Sequence, residues 1–294
     1  MRASPVGAAV ALGRRLGLPV GEPVVLSDLA NTVVHLAPTP VVARVAAFTA
    51  LARPHPEQAL GREVALSRWL ADRGAAVLPP TAVVDPGPHD ADGWAVSLWP
   101  HLPLPADGSG VAGAAPELVG MALAALHEVA AGYPAEELPG LAETVADAGR
   151  CLEVGGDWLP ADVLAALAEG HEEAAATAAA VDAGSGRRAL HGDAHPGNLL
   201  LLGGAAIWCD LEEAVTGPVE WDLAVVRRSR RHDGEAAVRA YTAATGVRPD
   251  AELLDSLQRL RDWQAQAWTV LYASVRPALR EQVGPDAAEW ASRR

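Results

Sequence analysis

The chain has 294 residues, half of them apolar and one fifth charged, with a formal net charge of −14. That length and apolar content support one large or two modest packed domains and exclude a disordered chain. The acidic surplus disfavours a nucleic-acid backbone or an anionic membrane as partner and is compatible with a cationic ligand.

All 23 basic residues are Arg, with Lys absent, a bias expected of a GC-rich bacterial genome. Cys151 and Cys209 are too few for a secreted disulfide framework or a thiolate zinc site. The N-terminal apolar run is short and broken by Arg14 and Arg15, unlike a signal peptide, and residues 199–208 fall far below membrane-spanning length. The expectation is a soluble, cytoplasmic protein.

Residues 24–30, 32–37 and 41–48 are β-branched runs broken by turn residues, which predicts three strands, the last two joined tightly at Pro38-Thr39-Pro40. A helix follows over 57–72, with Leu60, Val64, Leu66, Trp69 and Leu70 as its apolar stripe and Gly74 as its stop. Two further strands are predicted at 81–85 and 94–99. Pro100, Pro103, Pro105 and the Gly/Ala-rich residues 106–115 mark a boundary, which divides the chain into 1–100 and 101–294. Beyond it, helices are predicted at 117–131 and 161–181. Two strands at 199–202 and 206–211 flank Gly203-Gly204, and helices resume at Trp221, at Glu235 and over 251–272. The organisation is α+β and bilobal: a small β lobe with one main helix, then a larger helical lobe carrying one β-ribbon.

The densest chemistry is His-Gly-Asp-Ala-His-Pro-Gly-Asn, residues 191–198, followed by Asp210. Asp193 is suited to orient an incoming hydroxyl and relieve it of its proton. Asn198 and Asp210 supply the hard oxygen ligands that magnesium prefers, the hairpin at Gly203-Gly204 returning Asp210 to the loop. A second reading takes His191, Asp193 and His195 as a hydrolase metal cluster, but such sites recruit further His or Asp, and no second cluster appears. The run Arg227-Arg228-Ser229-Arg230-Arg231 lacks an aromatic platform and reads as a solvated helix end rather than a nucleic-acid patch.

These residues resemble the kinase-like phosphotransferase family that includes the aminoglycoside phosphotransferases, with choline, homoserine and fructosamine kinases as relatives. The carrying motif is His-Gly-Asp, four residues, Asn, then a hydrophobic strand ending in Asp, here Asp193, Asn198 and Asp210. The resemblance extends in element order over essentially the whole chain. It implies a protein-kinase-like fold, with ATP and Mg2+ bound between the lobes and the γ-phosphate passed to a hydroxyl of a small molecule, such as an aminoglycoside-like cation. It further implies that Asp222 braces the catalytic loop, that His127 matches a typical helix histidine, and that Glu63 pairs with the basic residue of the third strand; His191 itself reads as orienting the loop rather than transferring protons. That residue is Arg44, where the best-known members carry Lys; Arg keeps the charge but is longer and planar. The first β-turn lacks the protein-kinase glycine pattern, leaving backbone N–H groups and Ser27, Asn31 or Thr32 to cover the phosphates. The backbone of Leu98 to His101 would pair with adenine.

The acceptor is expected among the later helices, where Glu212, Glu213, Glu220, Asp262, Trp263, Gln266, Trp268 and Tyr272 are candidates, since carboxylates beside aromatic faces suit a cationic or polyhydroxylated ligand. The alternative is a nucleotide-binding or ligand-sensing protein of this fold with little catalysis.

Overall fold

Residues 3–102, 115–184, 186–229 and 232–293 are described by the computed structural model. Ser4 accepts a hydrogen bond from the Gly7 N–H at 3.1 Å and so starts α1, Pro5–Arg15, which has Pro in its first turn and Arg14 and Arg15 in its last. Its buried residues Ala8, Ala9 and Leu12 pack with Val34, Leu36, Val41, Ala43, Val45, Val96 and Leu98. All but Leu36, which directly follows β2, belong to a five-stranded antiparallel sheet ordered β1-β2-β3-β5-β4, made of β1 Val24–Asp28, β2 Thr32–His35, β3 Val41–Val45, β4 His89–Ala91 and β5 Trp94–Pro100. The central strand β3 is buried throughout except at Arg44, its one partly exposed position. Helix α2, Pro56–Ala71, opens with Pro56 and Glu57, and it buries Glu63 along with Leu60, Val64, Leu66 and Leu70.

The small lobe departs from the sequence reading in two places. Residues 81–85 form no strand: Pro79 and Pro80 precede them and Pro86 and Pro88 follow, removing the donors a ladder needs, and the fourth strand is His89–Ala91 instead. The N-terminal segment is a helix that the expected order of three strands, a helix and two strands omits.

The larger lobe comprises α3 Pro116–Ala130, α4 Leu141–Gly155, α5 Ala161–Asp182, α6 Glu220–Arg228, α7 Gly234–Thr245, α8 Ala251–Val275 and α9 Arg280–Ser292. Its β structure is two pairs: β6 Arg188–Leu190 with β9 Val215–Gly217, and the hairpin β7 Leu199–Leu202 with β8 Ala205–Trp208. That hairpin turns at Gly203 and Gly204, whose φ angles of 57° and 85° favour glycine. Helices α4 and α9 and the β6–β9 pair were not anticipated. The expected boundary at Pro103, Pro105 and residues 106–114 lies outside the described residues, as do Arg230 and Arg231. Arg227 and Arg228 are not a solvated end: Arg227 donates to Asp255 at 2.7 Å and Arg228 to Asp262 at 2.9 Å, which ties α6 to α8.

Two apolar cores result, and they do not divide at residue 100. Phe48, Ala52, Leu66, Leu70 and Val77 join the core of the larger lobe. The chain after α2 is also stitched to β8, Leu78 N–H donating to the Trp208 carbonyl at 2.8 Å and Trp208 N–H to that of Ala76 at 2.9 Å. Among the described residues no single helix is long and apolar enough to cross a membrane.

Candidate active site

The loop between β6 and β7 is fixed through its backbone. The fully buried Asp222 on α6 accepts from the N–H of His191 at 2.9 Å and of Gly192 at 2.8 Å. His127 of α3 lies 2.9 Å from the same carboxylate and, through its other nitrogen, 2.9 Å from the Tyr241 hydroxyl of α7. Burial alone would raise the Asp222 carboxyl; the His127 hydrogen bond and charge, His191 and the loop N–H outweigh it and hold the group below its ordinary value. Gly192 sits at φ 85°, and a Cβ there would lie 1.7 Å from the Glu213 carbonyl oxygen, so this position requires glycine. His191 is buried against Trp208, its Nε2 3.1 Å from the Cys209 carbonyl, a placement inside the loop rather than in the cleft.

Asp193 therefore leaves the loop with its side chain about one quarter exposed, at 28%. Arg261 of α8 donates to Oδ1 at 2.6 Å, while Oδ2 has only long contacts, 3.4 Å to the Asn198 amide and 3.5 Å to His195 Nε2. Burial would raise this carboxyl too, but Arg261, His195 and His191 draw it below the ordinary carboxylate value. The Asn198 amide nitrogen also donates to the Asp193 carbonyl at 3.0 Å, which turns its oxygen the other way. Asn198 and Asp210 are neighbours across the hairpin, since the Cys209 N–H donates to the Asn198 carbonyl at 2.9 Å. Asp210 adopts a left-handed backbone, φ 64°, and its side chain is 44% exposed.

Opposite stands Arg44. It donates to Glu63 of α2 at 2.7 Å, to Glu212 at 2.6 Å and to Asp210. The expected Arg44–Glu63 partnership is thus formed, and the Leu211 N–H adds a bond to Glu63 at 3.0 Å. Arg53, from the segment between β3 and α2, reaches Asp147 of α4 at 2.9 Å, Glu212 at 2.6 Å and Glu213; Arg150 closes the cluster on Asp147. Five carboxylates (Glu63, Asp147, Asp210, Glu212, Glu213) therefore face three guanidiniums (Arg44, Arg53, Arg150), a formal surplus of two negative charges. Burial first, then the neighbouring Asp210 and Glu212, push the Glu63 carboxyl up to about 8 against the pull of Arg44.

A divalent cation fits this donor set. Carboxyl groups outnumber guanidiniums in this cluster, and the Asn198 oxygen and the exposed Asp210 carboxylate are hard donors. Magnesium characteristically takes one or two protein oxygens and completes its shell with phosphate and water. His191, Asp193 and His195 do not form the hydrolase cluster: His191 is buried with its Nε2 on the Cys209 carbonyl, and among the described residues no group of three or more His, Cys, Asp or Glu could hold a metal ion.

Other expected residues fall less simply. Ser27 lies at a bulge of β1, half-buried. Asn31 is turned inward, its amide donating to Glu212 at 2.6 Å and its oxygen accepting from Thr49 at 3.0 Å, and Thr32 closes on Asp28 at 2.8 Å. Leu98 is fully buried, its N–H donating to Pro86 at 2.9 Å and its carbonyl accepting from Thr81 at 3.2 Å; the His101 N–H donates to Pro40 at 2.9 Å. Those backbone groups are hydrogen-bonded within the small lobe. Among the acceptor candidates, Asp262, Trp263 and Gln266 line one cavity of about 680 Å³ between α5, α8 and α9. Trp263 contributes only an edge, being 2% exposed and bonded to the Leu167 carbonyl. Glu213 does not join them, since Arg53 holds it. Glu220 caps α8 through the Asp250 N–H, and Trp268 and Tyr272 pack on Phe48. Arg53, Asp147 and Arg261 were not foreseen; no local pattern marks them.

A β lobe joined to a helical lobe, with Asn198 against Asp193 and Asp210 against the strand-borne Arg44, is the arrangement of a kinase-like phosphotransferase. The chain belongs to the phosphotransferase enzyme family, whose model matches residues 24–281. No curated protein matches it significantly. Similar solved structures include the GDP and kanamycin complex of APH(2")-IIia, with a TM-score of 0.64 at 15% identity, covering 98% of this chain and 97% of that one. The amicoumacin kinase hAmiN, bound to AMP-PNP, Ca2+ and amicoumacin, superposes with a TM-score of 0.67 at 13% identity over 92% of this chain and 86% of its own. The aminoglycoside phosphotransferase APH(3'')-Id from Streptomyces rimosus, with ADP and streptomycin, gives 0.58 at 21% identity over 89% and 99%.

Proposed function

We propose that the protein is an ATP- and magnesium-dependent phosphotransferase that moves the γ-phosphate to a hydroxyl of a small molecule. The observation that carries this reading is the grouping of Asn198, whose amide meets Asp193, with Asp210, whose neighbour Cys209 donates to the Asn198 carbonyl, on a loop braced by Asp222. The nucleotide would lie between residues 1–100 and 101–294. Arg44, held by Glu63, would steady its α- and β-phosphates, and the β1 bulge at Ser27 with the following β1–β2 turn would cover them. Asn198 and Asp210 would hold the metal, which when bound bridges phosphate oxygens and offsets their charge. Asp193 Oδ2 would accept the hydroxyl proton and aim its oxygen, so that the chain mainly positions groups.

The acceptor would occupy the cavity lined by Asp262 and Gln266. Its carboxylates Glu173, Asp262, Asp286 and Glu289 stand beside Arg228, Arg259 and Arg293, and Asp262 and Glu289 are paired with Arg228 and Arg293. This near balance suits an acceptor of low net charge better than the polycation suggested by the whole-chain charge. The Arg44–Asp210 contact favours the second reading, a nucleotide-binding protein with little turnover, because it engages a proposed metal ligand.

One experiment separates the two: magnesium-dependent ADP release from ATP over a panel of aminoglycosides, macrolides, choline, homoserine and simple sugars, with Asp193→Asn as blank. Stimulation by one acceptor, lowered roughly 100-fold or more in the blank while nucleotide affinity is kept, is the expected result. Nucleotide binding without stimulated release supports the second reading, and no nucleotide binding overturns both.

A further inference from the structure

Asp222 fixes the backbone of the catalytic loop, yet a fixed backbone leaves the Asp193 side chain free to rotate about two bonds. Arg261 removes that freedom. Its Nη2 donates to Oδ1 at 2.6 Å while its Nη1 is held by Gln264 one turn on at 2.7 Å, and its guanidinium carbon lies 5.1 Å from the centre of the Trp221 ring. Trp221 is the neighbour of Asp222, so one point of α6 secures both the loop and the cation that holds the loop's carboxylate. Arg261 is 8% exposed, and among the described residues its buried Nε has no hydrogen-bond partner. A buried guanidinium with an unsatisfied donor is costly, and α8 would not need one merely to pack.

We infer that Arg261 is a positioning residue for phosphoryl transfer: it clamps Oδ1 of Asp193 so that Oδ2 alone faces the acceptor hydroxyl. The inference rests on the phosphotransferase reading. Arg261 also lies between Leu260 and Asp262, both of which line the proposed acceptor cavity, so the helix that receives the acceptor is the one that aims the carboxylate. The contact with Asp193 is made by a single nitrogen, so an ammonium at the same place can stand in for it, whereas a bidentate contact would not allow this.

The test compares Arg261→Met, Arg261→Gln and Arg261→Lys by thermal melting, calorimetric binding of magnesium–ATP, and steady-state ADP release. The acceptor is the most active member of the panel, or water if none stimulates. Arg261→Met and Arg261→Gln are expected to lose about tenfold or more in kcat, with acceptor KM and nucleotide affinity within about twofold of the parent. Arg261→Lys, retaining the charge, is expected to recover most of that loss. Unchanged kcat in folded Arg261→Met, a change confined to KM, or a loss that lysine does not recover would each overturn the inference. A parent protein that binds no nucleotide and releases no ADP instead refutes the phosphotransferase reading itself.

Discussion

Asp222 concentrates the largest number of roles in one side chain. It has no exposure, accepts two loop N–H groups and faces His127, and its carboxyl is held below the ordinary value of 3.8. Because the folded form binds the proton more weakly than the unfolded chain does, the stability it contributes is complete above that value and is lost as pH falls below it. Denaturant unfolding between pH 3 and 7 is expected to show stability falling at the acid end, with Asp222→Asn less stable by about 2–4 kcal/mol at neutral pH and flatter over the acid range. An equally steep acid loss in the variant would assign the effect to other carboxylates.

Two helices meet with almost no space between them where α3 crosses α7. A Cβ on Gly120 would come within 2.2 Å of the Ala237 carbonyl oxygen and 2.9 Å of both the Ala240 Cβ and the Tyr241 nitrogen. Tyr241 in turn bonds His127, the partner of Asp222, so this packing leads directly to the loop at residues 191–198. Gly120→Ala is expected to cost about 1–3 kcal/mol in thermal or denaturant unfolding, since the helices must part to admit the methyl group. The usual gain in helix propensity from Gly to Ala, about 1 kcal/mol, would be overridden. A variant as stable as the parent would show that the two helices separate freely.

Across the whole molecule, the lobes are bolted together by buried charge and by α8. Arg53 comes from the small-lobe side, is 6% exposed and joins three carboxylates of the larger lobe. Removing it takes from Glu213 its cation and leaves Asp147 and Glu212 to Arg150 and Arg44 alone, so Arg53→Met is expected to destabilise the fold by about 3–5 kcal/mol. Arg62→Met breaks another lobe-to-lobe pair, Arg62–Glu143 at 2.9 Å, but one whose partners are 25% and 50% exposed, and is expected to cost about 0–1 kcal/mol. Chemical denaturation of the two variants side by side checks the contrast; equal losses would contradict it. Helix α8 spans the cleft: Arg261 meets Asp193, and Arg276, about 22 Å further along at 1.5 Å per residue, donates to the carbonyls of Asp28, which ends β1, and Leu29, which follows it.

The features legible in the sequence are those set over a few residues. β-branched runs specified β1, β2 and β3, Gly203-Gly204 specified the β7–β8 turn, and the spacing of Asp193, Asn198 and Asp210 identified the loop and the residue returned to it. Local signals also misled where prolines bracketed 81–85, since the strand propensity of Val83 and Val84 cannot supply missing ladder donors. Tertiary structure alone chose the partners. Arg261 meets Asp193 across 68 positions, and Arg53 meets Asp147 and Glu212 across 94 and 159. Nothing near Arg53 or Arg261 distinguishes either from the chain's other arginines, because an ion pair is decided by which surfaces pack together. The same holds for Asp262 and Gln266: their spacing of four places them on one face of α8, but only the arrangement of α5 and α9 around that face makes it a cavity rather than a core.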